Sequence, residues 1–149
     1  MIVLDTDIAS VFVRPRTQWH PDVGAWLATL PRDEVRLTAV TRAEIAYGVA
    51  LMPPGRRQRE YADRAATLLA NLAPLTLPFD AAAADVYAQL VAARKKAGRP
   101  IGTHDAQIAA IVRAHRADLA TRNTKDFSDL GLRLVNPYDR ATWLPHEEQ

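Results

Sequence analysis

The sequence predicts a three-layer α/β/α sandwich, with helices covering both faces of a central parallel sheet. Three observations lead there. Short apolar runs of strand length alternate with longer stretches whose apolar residues recur at helical spacing. The 149 residues are enough to bury roughly two-thirds of the surface of the unfolded chain. Hydrophobic residues make up 48% and charged residues 24%, the balance of an ordinary globular chain rather than a disordered or fibrous one.

Ile2-Val3-Leu4 is a short apolar run ending in Asp5-Thr6-Asp7, as expected of a buried first strand running into a helix start. Val23, Trp26, Leu27 and Leu30 recur at helical spacing until Pro31 stops the helix. Val35 to Ala39 reads as a second strand, and Thr41-Arg42-Ala43-Glu44 opens a helix through about Leu51, closed by Pro53-Pro54-Gly55. An Arg-rich segment from Arg56 continues into an Ala/Leu-rich helix ending near Asn71, and Leu75-Thr76-Leu77 is a further strand candidate. Asp80 suits the N-cap of a helix with Ala83, Val86, Tyr87, Leu90 and Val91 along one stripe, and Lys95, Lys96 and Gly98 mark its end. Thr103 begins another helix, with Ile108, Ile111, Val112 and His115 on one face. Asp118 to Thr121 and Leu132 to Val135 read as the last two strands.

Composition narrows the function. Without cysteine there are no disulfides, thiolate zinc sites or cysteine nucleophiles. No apolar run approaches the ~20 residues of a membrane helix, and the N-terminus meets Asp5 too early for a secretory signal. A soluble, cytoplasmic protein with no membrane partner is the expectation. Net charge is only +2, yet the 19 cations comprise sixteen arginines and three lysines. The planar guanidinium suits phosphate, so nucleic acid is permitted as a partner; an Arg-, Ala- and Pro-favouring genome explains the same composition.

Ligands of open parallel sheets bind beyond the carboxyl ends of the strands. Asp5 follows the first strand there, Glu44 sits at the start of the helix after the second, Asp105 lies in the first turn of the Thr103 helix, and Asp126 follows the Leu119–Thr121 strand by a short loop. Each has an ordinary structural role open to it. Asp5 or Asp7 can cap the next helix. Thr41-x-x-Glu44 matches a capping box, Asp105 suits a helix dipole, and Asp126 can begin a turn. Four carboxylates on one rim would repel each other without cations, and an all-oxygen set suits Mg²⁺ or Mn²⁺ rather than zinc.

Four ordered stretches resemble the PIN-domain ribonucleases, and more narrowly the VapC-type toxins of type II toxin–antitoxin pairs, including their FitB-like branch. They are Ile2-Val3-Leu4-Asp5-Thr6-Asp7, Thr41-Arg42-Ala43-Glu44-Ile45-Ala46-Tyr47-Gly48, Asp105-Ala106-Gln107-Ile108-Ala109-Ala110 and Leu119-Ala120-Thr121-Arg122-Asn123-Thr124-Lys125-Asp126-Phe127. The resemblance covers nearly the whole chain and implies a single PIN domain over 1–149. It also implies a Mg²⁺-dependent endoribonuclease, with Mn²⁺ able to substitute. Asp5, Glu44, Asp105 and Asp126 take the catalytic and metal positions, Asp5 and Asp105 as direct ligands and the other two through water or at a second site. Thr6, Asp7, Thr121 and Asn123 surround them as orienting groups. Metal-activated water would attack the phosphodiester in line and leave a 5′-phosphate and a 3′-hydroxyl. Position 7, commonly Asn in this family, is Asp here.

Two other readings stay open. Asp5-Thr6-Asp7 also has the Asp-x-Asp form of the haloacid-dehalogenase-like phosphatases, with Asp5 as nucleophile, although no Gly-Asp-x-x-x-Asp motif follows. A catalytically silent PIN domain acting as a binding module is the other. The resemblance further implies a cognate VapB-type antitoxin and a homodimer. Trp19, Trp26 and Tyr47 are candidates for lining an antitoxin groove, or for ordinary core packing. Arg56, Arg57 and Arg59, or Arg94, Lys95, Lys96 and Arg99, are candidates for steering an RNA backbone, or simply for solvated helix faces. His104, beside Asp105, is a candidate acid or RNA contact, or a plain surface residue.

Overall fold

A computed structural model describes residues 1–143; the rest of the expected domain span, 144–149, lies outside the described residues. The elements run β1 (Ile2–Leu4), α1 (Thr6–Val11), α2 (Pro21–Ala28), β2 (Val35–Thr38), α3 (Ala39–Leu51), α4 (Arg56–Asn71), β3 (Thr76–Leu77), α5 (Ala81–Lys96), α6 (Thr103–Ala114), β4 (Asp118–Ala120) and β5 (Leu134–Val135). All five strands are parallel, in the order β3-β2-β1-β4-β5. The expected three-layer sandwich is the one observed.

Alternation along the strands builds two cores, because successive side chains of a strand point to opposite faces. Ile2 and Leu4 of β1 face α1 to α4, packing with Ile8, Trp26, Leu37, Ile45 and Leu69. Val3 and Leu119 face the other way, onto α5 and α6 through Leu90, Ile108 and Val112. Phe127 and Leu130, in the loop between β4 and β5, close this second core. Among the described residues no helix is long and apolar enough to cross a membrane.

Several boundaries differ from the sequence reading. β2 ends at Thr38 rather than Ala39, and α3 starts at Ala39 rather than Thr41, because the Thr38 hydroxyl accepts from the Thr41 amide and caps the helix. α2 stops at Ala28, before Pro31, with Thr29 as its cap. Leu75 belongs to a 3₁₀ turn, so β3 is only Thr76–Leu77, and β5 is only Leu134–Val135. The Asp80 cap on Ala83 and the left-handed Gly98 after α5 are as expected.

The topology fixes where a ligand can enter. The chain steps outward from β1 to β2 to β3, then returns to the other side of β1 with β4. The switch therefore lies between β1 and β4. Crossovers leaving in opposite directions open a crevice at the carboxyl ends of such a strand pair.

Candidate active site

Asp5 leaves β1 at that crevice, buried to 5% exposure. Its amide donates to Ala120 O across the β1–β4 pair. Its Oδ1 accepts from the Ile8 amide at 2.9 Å, and its Oδ2 from the Thr121 hydroxyl at 2.5 Å. Asp5, rather than Asp7, is thus the N-cap of α1. Burial is the main force on this carboxyl and raises its pKa to about 6, against the pull of the two hydrogen bonds; the negative charges of Asp7 and Asp105 push the same way as burial.

Glu44 approaches from α3. In the structure it caps nothing: with Thr38 at the N-cap, the third helical residue is Thr41, and Glu44 lies a turn further in. Its Oε1 accepts from the Thr6 hydroxyl at 2.8 Å, and its Oε2 stands 3.4 Å from His104 Nδ1. Behind Thr6 is a line of hydroxyls. Thr6 Oγ1 lies 3.0 Å from Thr41 Oγ1, and the Thr38 hydroxyl donates to Thr41 at 3.4 Å. Since Thr6 gives its proton to Glu44, Thr41 must donate to Thr6. Every proton in the line then points toward the carboxylate. Thr38 and Thr41 are fully buried, where unpaired hydroxyls would be costly. The capping-box spacing had hidden both roles.

Asp105, half-buried in the first turn of α6, has a raised pKa. Burial is the largest cause, followed by the charges of Glu44, Asp126 and Asp7, with His104 opposing. Asp126 stands at the exposed rim of the loop after β4, where the Asn123 side-chain amide donates to it. The Thr121 hydroxyl, already donating to Asp5, accepts the Asn123 amide at 3.0 Å. Asp7 is exposed at the mouth. Asp5, Glu44, Asp105 and Asp126, drawn from β1, α3, α6 and the β4 loop, therefore share one electrostatic neighbourhood, with Thr6, Asp7, Thr121 and Asn123 around them.

Among the described residues, no three acidic or imidazole side chains already close into a metal-ligand cluster. Charge coupling reaches further than ligation, so the two findings are compatible. The donor set is all oxygen, and burial and the neighbouring negative charges disfavour the ionised forms of Asp5 and Asp105, which a cation would offset. These residues fit a hard divalent ion. A cavity of about 540 Å³ beside Glu44 is bounded by Val40, Ala43, Tyr47 and His104.

The other candidates separate. Trp26 is a core residue. Trp19 is half-buried and edges an apolar groove of about 660 Å³ formed with Phe12, Leu27, Leu30, Leu68 and Leu72. Tyr47, on α3, is 66% exposed. Arg56, Arg57 and Arg59 are exposed, with Arg56 paired to Glu60. Lys95 and Lys96 are exposed, but Arg94 is buried and cannot steer a ligand. It donates instead to the backbone carbonyls of Asp126 and Ser128. A run of Arg-Lys-Lys reads as a solvated helix end, and only the packing of α5 against the loop reveals the exception.

The comparisons with known proteins agree with this geometry. The PIN domain profile matches residues 2–132. The VapC ribonuclease Y4jK of Sinorhizobium fredii is 39% identical over 95% of this chain and all of its own length. Toxin FitB of Neisseria gonorrhoeae is 37% identical over 93% of this chain and 99% of its own. A solved structure of FitAB bound to an IR36 DNA fragment superposes with a TM-score of 0.87 at 36% identity, covering 99% of this chain and 100% of that one. The family match along the chain, with no Gly-Asp-x-x-x-Asp motif after Asp5-Thr6-Asp7, displaces the phosphatase reading. With four acidic positions gathered at the switch point of a 3-2-1-4-5 parallel sheet, and relatives matching end to end, this chain belongs to the PIN-domain family, in the branch that contains VapC and FitB.

Proposed function

We propose that the chain is the toxin of a type II toxin–antitoxin pair, a single-domain cytoplasmic endoribonuclease that depends on Mg²⁺, with Mn²⁺ able to substitute. The observation that carries this reading is the gathering of Asp5, Glu44, Asp105 and Asp126 at one sheet edge within a PIN fold. The relatives' names, a ribonuclease and a toxin, support the activity.

Asp5 and Asp105 would hold the metal directly, and Glu44 and Asp126 would hold it through water or complete a second site. A bound divalent ion supplies positive charge that favours ionised water and offsets the charge developing on the phosphate. The remaining work falls to the chain. The Thr38–Thr41–Thr6 line fixes the orientation of the Glu44 carboxylate. Thr121 does the same for Asp5 while anchoring the turn that carries Asn123. Hydrolysis leaves a 5′-phosphate and a 3′-hydroxyl, and no side chain is consumed as nucleophile.

A cognate VapB-type antitoxin would hold the toxin inactive, as the pairing in the FitAB structure supports. Its apolar side chains suit the groove edged by Trp19, Phe12 and Leu68. A homodimer through the α3 face, where Tyr47 and Leu51 stand exposed, completes the assembly. Purified protein is expected to cut single-stranded or loop RNA with Mg²⁺ or Mn²⁺ and to stop in EDTA. Robust cleavage in EDTA overturns the reading.

A further inference from the structure

Among the described residues, Arg94 is the one charged residue buried on the α5–α6 side of the sheet. It is 7% exposed and, among the described residues, has no carboxylate within ion-pair distance. Its Nη2 donates to two carbonyls of one loop, those of Asp126 and, at 2.8 Å, Ser128. Nη1 donates to Arg99 O at 3.4 Å, and Nε has no partner among the described residues. Burying an unpaired cation opposes folding, and an apolar side chain of similar volume would fill the same space without that cost. What the guanidinium achieves is specific: one of its nitrogens, Nη2, takes hold of the backbone on both sides of Phe127, whose ring is itself in the core. A second tie, the exposed Arg99–Asp129 ion pair, joins the same stretches of chain.

We propose that Arg94 is a positioning residue for Asp126, fixing the 126–128 backbone so that this carboxylate stands at the rim of the acidic site. The inference rests on the proposed role of Asp126 in binding the metal. Arg94 touches neither metal nor RNA; it acts through main-chain carbonyls, behind the site. Groups that orient metal ligands from behind typically contribute 10–100-fold to metal affinity or activity. Arg94 acts through only one of four carboxylates, so its effect belongs at the lower end.

The test is Mn²⁺ titration by calorimetry on the full chain, alongside thermal unfolding, for Arg94→Met, Asp126→Asn and the double variant. Arg94→Met is expected to fold with a melting temperature no lower than that of the wild type, and to bind Mn²⁺ about 10-fold more weakly. In the Asp126→Asn background the same change is expected to have no further effect, because the group it positions is gone. Arg94→Lys, which keeps a donor, is expected to recover part of the affinity. If Asp126→Asn binds Mn²⁺ like the wild type, the metal role of Asp126 fails and takes this inference with it. If Asp126→Asn weakens Mn²⁺ binding and Arg94→Met does not, only the role of Arg94 fails. Equal losses in both backgrounds show a general structural effect and overturn it too. Should Arg94→Met not fold, Arg94→Lys carries the test by the same criteria; failure of both to fold makes Arg94 a determinant of the core and nothing more.

Discussion

Asp5 serves α1 as a cap and the site as a buried carboxylate, and the two roles place opposite demands on its charge. Folding favours its protonated form, since its pKa rises from 3.8 to about 6, chiefly through burial. Its contribution to stability is therefore fully present below the unfolded value near 3.8 and is lost as pH rises through about 6. By pH 7 and above the loss approaches about 3 kcal/mol. Asp5→Asn keeps an acceptor for the Ile8 amide, and the Thr121 hydroxyl can turn to accept from the new amide. Asp5→Asn is thus expected to be inactive on RNA with Mg²⁺ present and, when metal-free, more stable than metal-free wild type at pH 7.5, with the gap narrowing toward pH 5 in thermal unfolding. A gap independent of pH would show that Asp5 does not titrate in that range. Glu44 offers the converse case. Because it caps nothing, Glu44→Gln is expected not to lower the melting temperature while abolishing cleavage. It should also lower the pKa of Asp105, read by carboxyl NMR, since the Glu44 charge is the second cause of that shift. A drop in stability with activity retained would return Glu44 to a purely structural role.

Elements depend on side chains that the chain's own pattern leaves ambiguous. Thr38 ends β2, caps α3 and starts the hydroxyl line to Glu44. Thr38→Val keeps the volume but strands the Thr41 amide and removes the first donor. A loss of roughly 1–2 kcal/mol in urea unfolding is expected, and Thr38→Ser should restore most of it. No loss would mean that water replaces the cap. The strands, the long helices and the four acidic positions were legible because periodicity and carboxyl-end placement are local properties. The start of α3 was not: Thr38 and Thr41 are both good caps, and Glu44 lies three residues after the wrong one. Choosing between them needs the position of Thr6, which β1 brings alongside β2 only in the folded sheet. Arg94 was misread for the same reason, since its partners lie 32 and 34 residues away.

At the scale of the whole molecule, the fold is assembled around a concentration of negative charge. Burial and repulsion both raise the pKa values of Asp5 and Asp105, so metal binding and proton release are coupled. Mg²⁺ is expected to raise the melting temperature at pH 7.5, in line with about 2.7 kcal/mol at a hundredfold excess over Kd. At pH 5 protons compete for the same oxygens, and the rise should shrink. A shift of equal size at both values would place the ion elsewhere on the surface.

The pairing of β1 with β4 also sets a clock on synthesis. β1 is made long before β4, which begins at Asp118, whose amide reaches back to Met1 O. Thr121, the partner of the Asp5 carboxylate, emerges 116 residues after it. At ribosomal rates of about 5–20 residues per second, that gap lasts on the order of 6–23 s. Throughout it Asp5 has no floor, Asp126 does not yet exist, and the crevice between β1 and β4 has only one wall. A chain cut short before Asp118 lacks both Thr121 and Asp126 and so cannot complete the acidic site. The interval is time in which a partner already present can meet the α1–α4 side before the acidic site is complete.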